Sequence, residues 1–428
     1  MKLQHKNRII FAAMMGNLVE TFDLAICGLL SLHLAKYLHA NSTEGLFFVL
    51  LSFCAGYLAR PFGAIFMGFF SDRYGRKIMM AASIFFMGIA TACIGFIPAY
   101  SSIGNLALFL LLPLRIIQSF ACGAEYLNSS AFLVECAAKN RKGFSASWSS
   151  FGGTAGVMIA TLTTLAVVHF SKKHPDLEWL IWRVPFVLAL VGSSVGLYMR
   201  LCMPESLEYV LYYSDHKKPS FTQLRQESIQ YIKHQKVKAA LVIALSLLGV
   251  STSFLFYVYG PIQAQVYNHL SYAEILVSNF VALSVMLITY PIVGKLSDSY
   301  DRITIIRFAS LALLLLSPYF FQALSGYSLQ YFMLMQACVS IPTAAFCAVV
   351  PVVLAELFPL ELRCTVLSTL YAIGASCAAG FAPVLAFHLV KQTGNPSSPS
   401  WMITCLVLFV WGILMLSQKR EAEKIVYN

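Results

Sequence analysis

The sequence predicts an all-α membrane protein whose twelve transmembrane helices form two six-helix bundles. Three observations lead there. Of 428 residues, 58% are hydrophobic and 11% charged, with a mean hydropathy of +0.72. Soluble domains carry about a quarter charged residues, so a soluble globular protein is excluded, as are a disordered chain and a disulfide-stapled secreted one. Apolar runs long enough to cross a bilayer recur along the whole chain. The longest polar stretch falls in the middle, with matching features on either side.

The runs lie at about 9–32, 46–68, 78–97, 106–134, 144–168, 181–202, 239–262, 272–294, 303–324, 328–354, 364–390 and 401–417. Hydrocarbon offers backbone groups no partners, so each run must be a helix. A β-barrel would need alternating segments of roughly ten residues, and Ile78–Ile97 shows no period of two. The start of the chain, with Lys2, Lys6 and Arg8 before an apolar run, imitates a signal peptide. The run carries Glu20 and Asp23 and continues to Leu32 without a small-residue cleavage site, so it reads as an uncleaved first span.

Lysine and arginine orient the spans. With both termini in the cytoplasm, 23 of the 30 fall on that side and five (Lys36, Lys172, Lys173, Arg183, Lys391) on the other; Arg60 and Arg115 lie within spans. The net charge of +11 is therefore a topology signal and a contact for anionic headgroups, not a nucleic-acid footprint. The eleven cysteines form no CxxC or Cys/His cluster and eight sit inside apolar runs, so neither zinc ligation nor a disulfide framework is expected.

The polar segment Met203–Lys238 divides the chain into a bundle over 1–202, a cytoplasmic linker over 203–238 and a bundle over 239–428. A weak repeat supports the division. Gly68-Phe-Phe-Ser-Asp72-Arg-Tyr-Gly-Arg-Lys77 follows the second span, and Gly294-Lys-Leu-Ser-Asp298-Ser-Tyr-Asp-Arg302 follows the eighth. Glu135 ends the fourth span and Glu356 the tenth. Duplicated bundles of this kind belong to rocking transporters.

Ionisable groups inside a bilayer are costly and mark candidate sites. Glu20 and Asp23 lie three residues apart, on one face of span one. Arg60 precedes Pro61 in span two. In span four Arg115, Gln118, Cys122 and Glu125 fall on one helical stripe, with Glu125 about 15 Å nearer the cytoplasm than Arg115. The carboxylates either form buried ion pairs with Arg60 and Arg115 or carry a proton. Three acids against two arginines leave one acid short of a partner, which favours a protonatable site. Arg115 serves either an anionic substrate or a carboxylate.

The second half offers Tyr257, Tyr259, Gln263, Asn279, Gln336, Ser340, Thr343 and Tyr371, which hydrogen-bond or stack but hold no proton near neutral pH. This asymmetry assigns proton coupling to the first bundle and part of the reading of substrate shape to the second. Asp72, Arg73, Gly75, Arg76 and Lys77 read as a cytoplasmic latch, with Asp298 in its second copy. Glu135 with Arg141, and Glu356 with Arg363, read as gate charges. Gly152, Gly153 and Gly156 make a close helix-packing face. His33, His169, His269 and His388 fall near outer ends as interfacial residues. No nucleotide-binding loop accompanies the spans.

Several strings together resemble the major facilitator superfamily, and within it the metabolite:proton symporter family, over nearly the full length. They are Gly16-Asn-Leu-Val-Glu20-Thr-Phe-Asp23, Arg60-Pro-Phe-Gly63, Asp72-Arg-Tyr-Gly-Arg-Lys77, Arg115-Ile-Ile-Gln118, Gly123-Ala-Glu125, Trp182-Arg-Val-Pro-Phe186, Glu205-Ser206, and Ala355-Glu-Leu-Phe-Pro359 with Arg363. That family includes proline/betaine, α-ketoglutarate, citrate and shikimate carriers. The resemblance implies the major facilitator fold and proton-driven secondary uptake in a bacterial inner membrane. It also implies that Glu20, Asp23, Arg60, Arg115 and Glu125 share the family's polar translocation core. The sequence departs from the pattern at Thr21 (usually Trp), at Ser299 and Asp301 in the second latch, and at Ala372 (usually Asn). The short C-terminal tail lacks the coiled coil of osmosensing betaine carriers, so osmotic activation is not expected.

The expected function is proton-coupled import of an organic acid or a zwitterion such as proline or betaine, by a monomer, with no cofactor or metal. Protonation of Asp23, Glu20 or Glu125 would accompany substrate binding by Arg60, Arg115, Gln118, Tyr257, Gln263 and Tyr371. The alternatives are a non-transporting sensor or receptor on the same fold, and a proton-independent facilitator or exchanger. No nucleophile–base or metal constellation supports an enzyme.

Overall fold

The computed structural model describes residues 3–39, 42–268, 270–325 and 328–427; Lys2 and His269 lie outside them. Among the described residues twelve helices are long and apolar enough to cross a membrane. They are α1 (Arg8–Leu29), α2 (Phe47–Tyr74), α3 (Arg76–Gly95), α4 (Leu106–Cys136), α5 (Lys142–Lys173), α6 (Pro175–Leu201), α7 (Lys236–Gln265), α8 (Tyr272–Leu296), α9 (Arg302–Gln322), α10 (Leu329–Glu356), α11 (Arg363–Thr393) and α12 (Ser400–Gln418). No strand occurs among the described residues. All twelve predicted spans are present, displaced by a few residues at their ends.

Two helices depart from regularity. In α4 a turn over 122–124 separates Leu106–Ala121 from Glu125–Cys136, so the predicted stripe from Arg115 to Glu125 is interrupted. In α7 the stretch Leu255–Tyr259 widens into a π turn before Gly260–Tyr267, a distortion often found at functional sites.

The chain divides into two compact units, one running through Ala137 and over Trp148–Lys217, the other over Ala138–Ser147 and from Lys218 onward. The segment between α6 and α7 is shared between them. Helix Leu207–Asp215 falls in the first unit, where the Tyr209 hydroxyl donates to the Arg73 carbonyl at 2.8 Å. Helix Phe221–His234 falls in the second, where the Tyr231 hydroxyl donates to the Leu357 carbonyl at 3.3 Å.

In the first unit α2 packs on α4, α3 on α4 and α6, and α1 on α6. In the second, α8 packs on α10, α9 on α10 and α12, and α7 on α11 and α12. The pairs α2·α4 and α8·α10, α3·α6 and α9·α12, and α1·α6 and α7·α12 correspond, as the sequence repeat requires. Large apolar side chains such as Leu58, Phe62, Phe109 and Phe381 remain exposed, an outward surface suited to lipid.

Between α1 and α5, side chains on Gly152 or Gly156 would collide with the Met14 and Leu18 carbonyls. The expected close packing is therefore present, and Thr21 completes it by donating to the Gly153 carbonyl at 2.7 Å. Between α2 and α3, Gly75 turns the chain at φ 110°, a conformation that glycine adopts without strain.

Candidate functional site

Three helices of the first unit bring a polar chain together in its interior. Asp23 on α1 is fully buried, and its Oδ2 accepts from the Thr91 hydroxyl of α3 at 3.1 Å. Gln118 on α4 donates through Nε2 to Thr91 Oγ1 at 2.7 Å and to the Asp23 carbonyl at 3.2 Å. The Gln118 Oε1 in turn accepts from Arg115 Nη1. Arg115 thus reaches Asp23 through two intervening side chains. Its guanidinium lies over the Phe53 ring, 4.0 Å from the centroid, a favourable cation–π position. Among the described residues Asp23 Oδ1 and Arg115 Nε have no hydrogen-bond partner within ordinary geometry, and Ser193 of α6 faces the Asp23 carboxyl.

Glu20 is nearly buried, and the charges acting on it are Glu125, Arg60 and Arg200. Arg60 is half-buried and sits over the Tyr57 ring, 4.8 Å from its centroid. Glu125 opens the second segment of α4. It pairs with Arg200 of α6 and accepts from the Ser83 hydroxyl of α3. The sequence counted Arg200 with the cytoplasmic basic residues, but its side chain is wholly enclosed, with Nη1 donating to the Met80 carbonyl at 2.7 Å. Arg200 reaches inward because Gly16 leaves room; any side chain there would strike the guanidinium. The interior acids therefore face three arginines rather than two, and the counting argument for an unpartnered acid no longer holds. Geometry replaces it: Glu125 has a dedicated arginine partner, whereas the side chains meeting the Asp23 carboxyl are hydroxyls, Thr91 of α3 and Ser193 of α6.

A second polar group lies beside this chain. Asn17 donates to Ser129 Oγ at 3.0 Å and Ser149 Oγ at 2.7 Å, and Ser130 donates to Ser149 at 2.8 Å. Sequence reasoning missed Thr91, Arg200 and Asn17. Ser83 and Thr91 fall eight residues apart on one face of α3, a spacing the sequence displays; Arg200, at a helix end beside a basic loop, gave no such signal.

In the second unit the π turn carries the polar cluster. Gln336 on α10 donates to the Phe256 carbonyl at 3.0 Å and to Asn279 Oδ1 at 2.7 Å, and accepts from Ser278 at 2.5 Å. These bonds occupy its amide and satisfy a carbonyl inside the π turn. Tyr257 projects from the same turn, its hydroxyl 2.7 Å from Ser340 Oγ. Gln263 is nearly buried and Tyr371 half-buried.

The two latch copies form matching triads. Asp72, Arg76 and Glu135 are fully buried in the first unit, with Arg76 at 3.4 Å from Asp72 and 3.2 Å from Glu135. Glu205 Oε1 accepts from Arg76 N at 3.1 Å and Oε2 from Lys77 N at 3.2 Å, capping α3. Lys77 and Arg73 are half-buried. In the second unit Arg302 pairs with Glu356 and lies 3.9 Å from Asp298. Asp298 accepts from Gly143 N at 2.7 Å and Phe144 N at 2.9 Å at the start of α5, and Lys142 lies 3.4 Å from Glu356.

The sequence paired Glu135 with Arg141 and Glu356 with Arg363. Glu135 pairs with Arg76, and Glu356 with Arg302 and Lys142. Arg141 is exposed, and Arg363 donates to the Phe358 carbonyl at 3.4 Å. The repeat preserves the i, i+4 acid–arginine step, so it preserves the triad despite the changes at Ser299 and Asp301. Asp301 has become the N-cap of α9, accepting from Thr304 N at 2.8 Å.

The chain is similar to several characterised membrane carriers. It is 29% identical over 431 residues to the glycine betaine/proline/ectoine/pipecolic acid transporter OusA of Dickeya dadantii, covering 97% of this chain and 84% of that one. It is 28% identical over 425 residues to the α-ketoglutarate permease of Escherichia coli K12, covering 97% and 95%. It is also 28% identical over 395 residues to the citrate-proton symporter of Klebsiella pneumoniae, covering 90% and 86%. Among solved structures, the proton:xylose symporter XylE bound to 6-bromo-6-deoxy-D-glucose superposes with a TM-score of 0.78 at 16% identity, covering 96% of both chains; this likeness concerns the fold. The Major Facilitator Superfamily model matches residues 9–326 and again 241–426. With the twelve helices, the duplicated packing and both latch triads in place, the chain belongs to the major facilitator superfamily.

Proposed function

We propose that this protein imports a small carboxylate-bearing metabolite, an organic acid or a zwitterion such as proline or betaine, together with a proton, by alternating access. The observation that carries the reading is the buried chain Arg115–Gln118–Thr91–Asp23. It joins a cation able to hold a carboxylate to an acid able to hold a proton. The relatives named above bear glycine betaine, proline, ectoine, pipecolic acid, α-ketoglutarate or citrate in their names. All six molecules contain a carboxylate, the group for which a guanidinium is the matching partner.

In this reading Arg115 receives the substrate carboxylate, and Asp23, with Glu20 nearby, takes the proton from the acidic side. A carboxyl in a low-dielectric interior binds a proton readily when no cation is paired with it. In the second unit Tyr257, Gln263 and Tyr371 are the candidates for reading substrate shape and polarity. The two triads act as gate charges on the cytoplasmic side, where the lysine and arginine distribution also puts both termini. The working unit in this reading is a monomer.

Purified protein in liposomes with an imposed pH gradient, alkaline inside, tests the proposal against labelled proline, glycine betaine, α-ketoglutarate and citrate. The expected result is accumulation of at least one of them above its external concentration, abolished by a protonophore. Flux indifferent to the gradient would replace symport with facilitated exchange. Binding with no flux would replace transport with reception.

A further inference from the structure

The hydroxyl of Thr91 stands where one hydrogen must choose between two acceptors. Its Oγ1 lies 3.1 Å from Asp23 Oδ2 and 2.9 Å from the carbonyl of Met87, and it accepts from Gln118 Nε2 at 2.7 Å. A hydroxyl has a single hydrogen and two lone pairs, so it cannot serve Asp23 and Met87 together. Which it serves depends on whether Asp23 holds a proton.

We infer that Thr91 is the positioning residue that couples proton binding at Asp23 to substrate binding at Arg115; the inference rests on the symport reading above. With Asp23 ionised, Thr91 donates to Oδ2. Donation to a carboxylate polarises the hydroxyl and makes its oxygen a better acceptor, which holds Gln118 firmly and with it the Gln118 Oε1 on Arg115. When a proton arrives on Oδ2, that O–H donates to Thr91 Oγ1, and the Thr91 hydrogen turns to the Met87 carbonyl. Thr91 Oγ1 then accepts from both Asp23 and Gln118, so Gln118 is held less firmly and an Arg115 N–H is released to a substrate carboxylate. Loss of the proton to the opposite side reverses each bond. The sign is that of symport, because the proton prepares the site for the anion.

Among the described residues few groups face Asp23. On its own helix they are Glu20 and Cys27; from α3 comes Thr91, from α4 Gln118 and, next to Cys27, Arg115, and from α6 Ser193. Arg115 is the cation hydrogen-bonded into the relay, and it meets Asp23 through Gln118 and Thr91. This is why the hydroxyl decides the coupling.

Thr91→Val keeps the shape and removes the hydroxyl; Thr91→Ser restores the hydroxyl. Both are compared with the wild type for equilibrium binding of the four compounds across pH and for counterflow and gradient-driven uptake in liposomes. In the wild type and Thr91→Ser, affinity rises on acidification by at least about fivefold, the lower end of ordinary coupling between sites. In Thr91→Val the affinity no longer changes with pH and accumulation falls to the equilibrium level, while counterflow persists. Unchanged accumulation in Thr91→Val overturns the inference, as does uncoupling in Thr91→Ser. So does loss of counterflow in folded Thr91→Val, which would make Thr91 a substrate contact. A wild type that binds with pH dependence yet never accumulates substrate overturns the transport reading and leaves the coupling standing.

Discussion

Glu125 and Arg200 form an ion pair in which neither side chain reaches the surface, clamped by Ser83 on one side and Gly16 on the other. Removing one member of such a pair strands the other charge, at a cost of roughly 3–5 kcal/mol, whereas replacing both with neutral groups of similar size is close to neutral. Glu125→Gln and Arg200→Met should each lower thermal stability in detergent strongly, and the double variant should recover most of the loss. Singles that unfold with the wild type would mean the pair does not hold α4 to α6.

The matching triads allow a comparison within one molecule. Arg76 is fully buried with both of its acids, while Arg302 and Glu356 retain 20% and 36% side-chain exposure. Arg76→Met should therefore cost several kcal/mol, about 3–5, and Arg302→Met about 0–1 kcal/mol. Unfolding measurements on the two variants give the ordering directly, and equal losses would contradict it.

The sequence showed most of the scaffold and part of the site. Apolar runs near twenty residues permit one structure in hydrocarbon, so all twelve helices could be placed before their packing was known. Asp23, Arg115 and Gln118 stood out because charged and amide groups are rare inside such runs. Thr91 did not, since a single hydroxyl satisfied by its own helix is common in membrane helices and only a neighbour on another helix gives it a role. Arg200 was hidden because a cation at a helix end beside a basic loop looks identical whether it turns outward or inward. The pairing of Glu135 with Arg76 and of Glu356 with Arg302 was not legible for a related reason: proximity along the chain pointed to Arg141 and Arg363, while the fold brings in arginines from other helices.

Gln336 secures the π turn of α7 through the Phe256 carbonyl. Gln336→Leu removes that donor and leaves the carbonyl, Asn279 and Ser278 to find other partners. A loss of about 1–3 kcal/mol is expected, together with weaker substrate binding, because Tyr257 projects from the same turn. Binding measured by thermal shift should weaken even where folding is retained; undiminished binding would detach the π turn from substrate recognition.

Asp301 gives a pH dependence with a definite sign. The Thr304 hydroxyl, followed by backbone N–H groups, holds the Asp301 carboxyl below the usual aspartate range. A group whose value is depressed on folding stabilises the fold above its unfolded value, near pH 4, and loses that contribution as pH falls through the folded value. Asp301→Ala should cost about 1 kcal/mol at neutral pH, the usual worth of an N-cap. The difference from wild type should shrink below pH 4. A gap that grows in acid would reverse the assignment.

The central claim is that Asp23 carries the transported proton, and the direct measurement is proton movement accompanying substrate in liposomes containing Asp23→Asn. Addition of whichever of the four compounds the wild type accumulates should alkalinise the outer medium for the wild type. It should produce no pH change with Asp23→Asn, although that variant still exchanges the labelled compound. Substrate-dependent proton uptake by Asp23→Asn at the wild-type ratio would contradict the account.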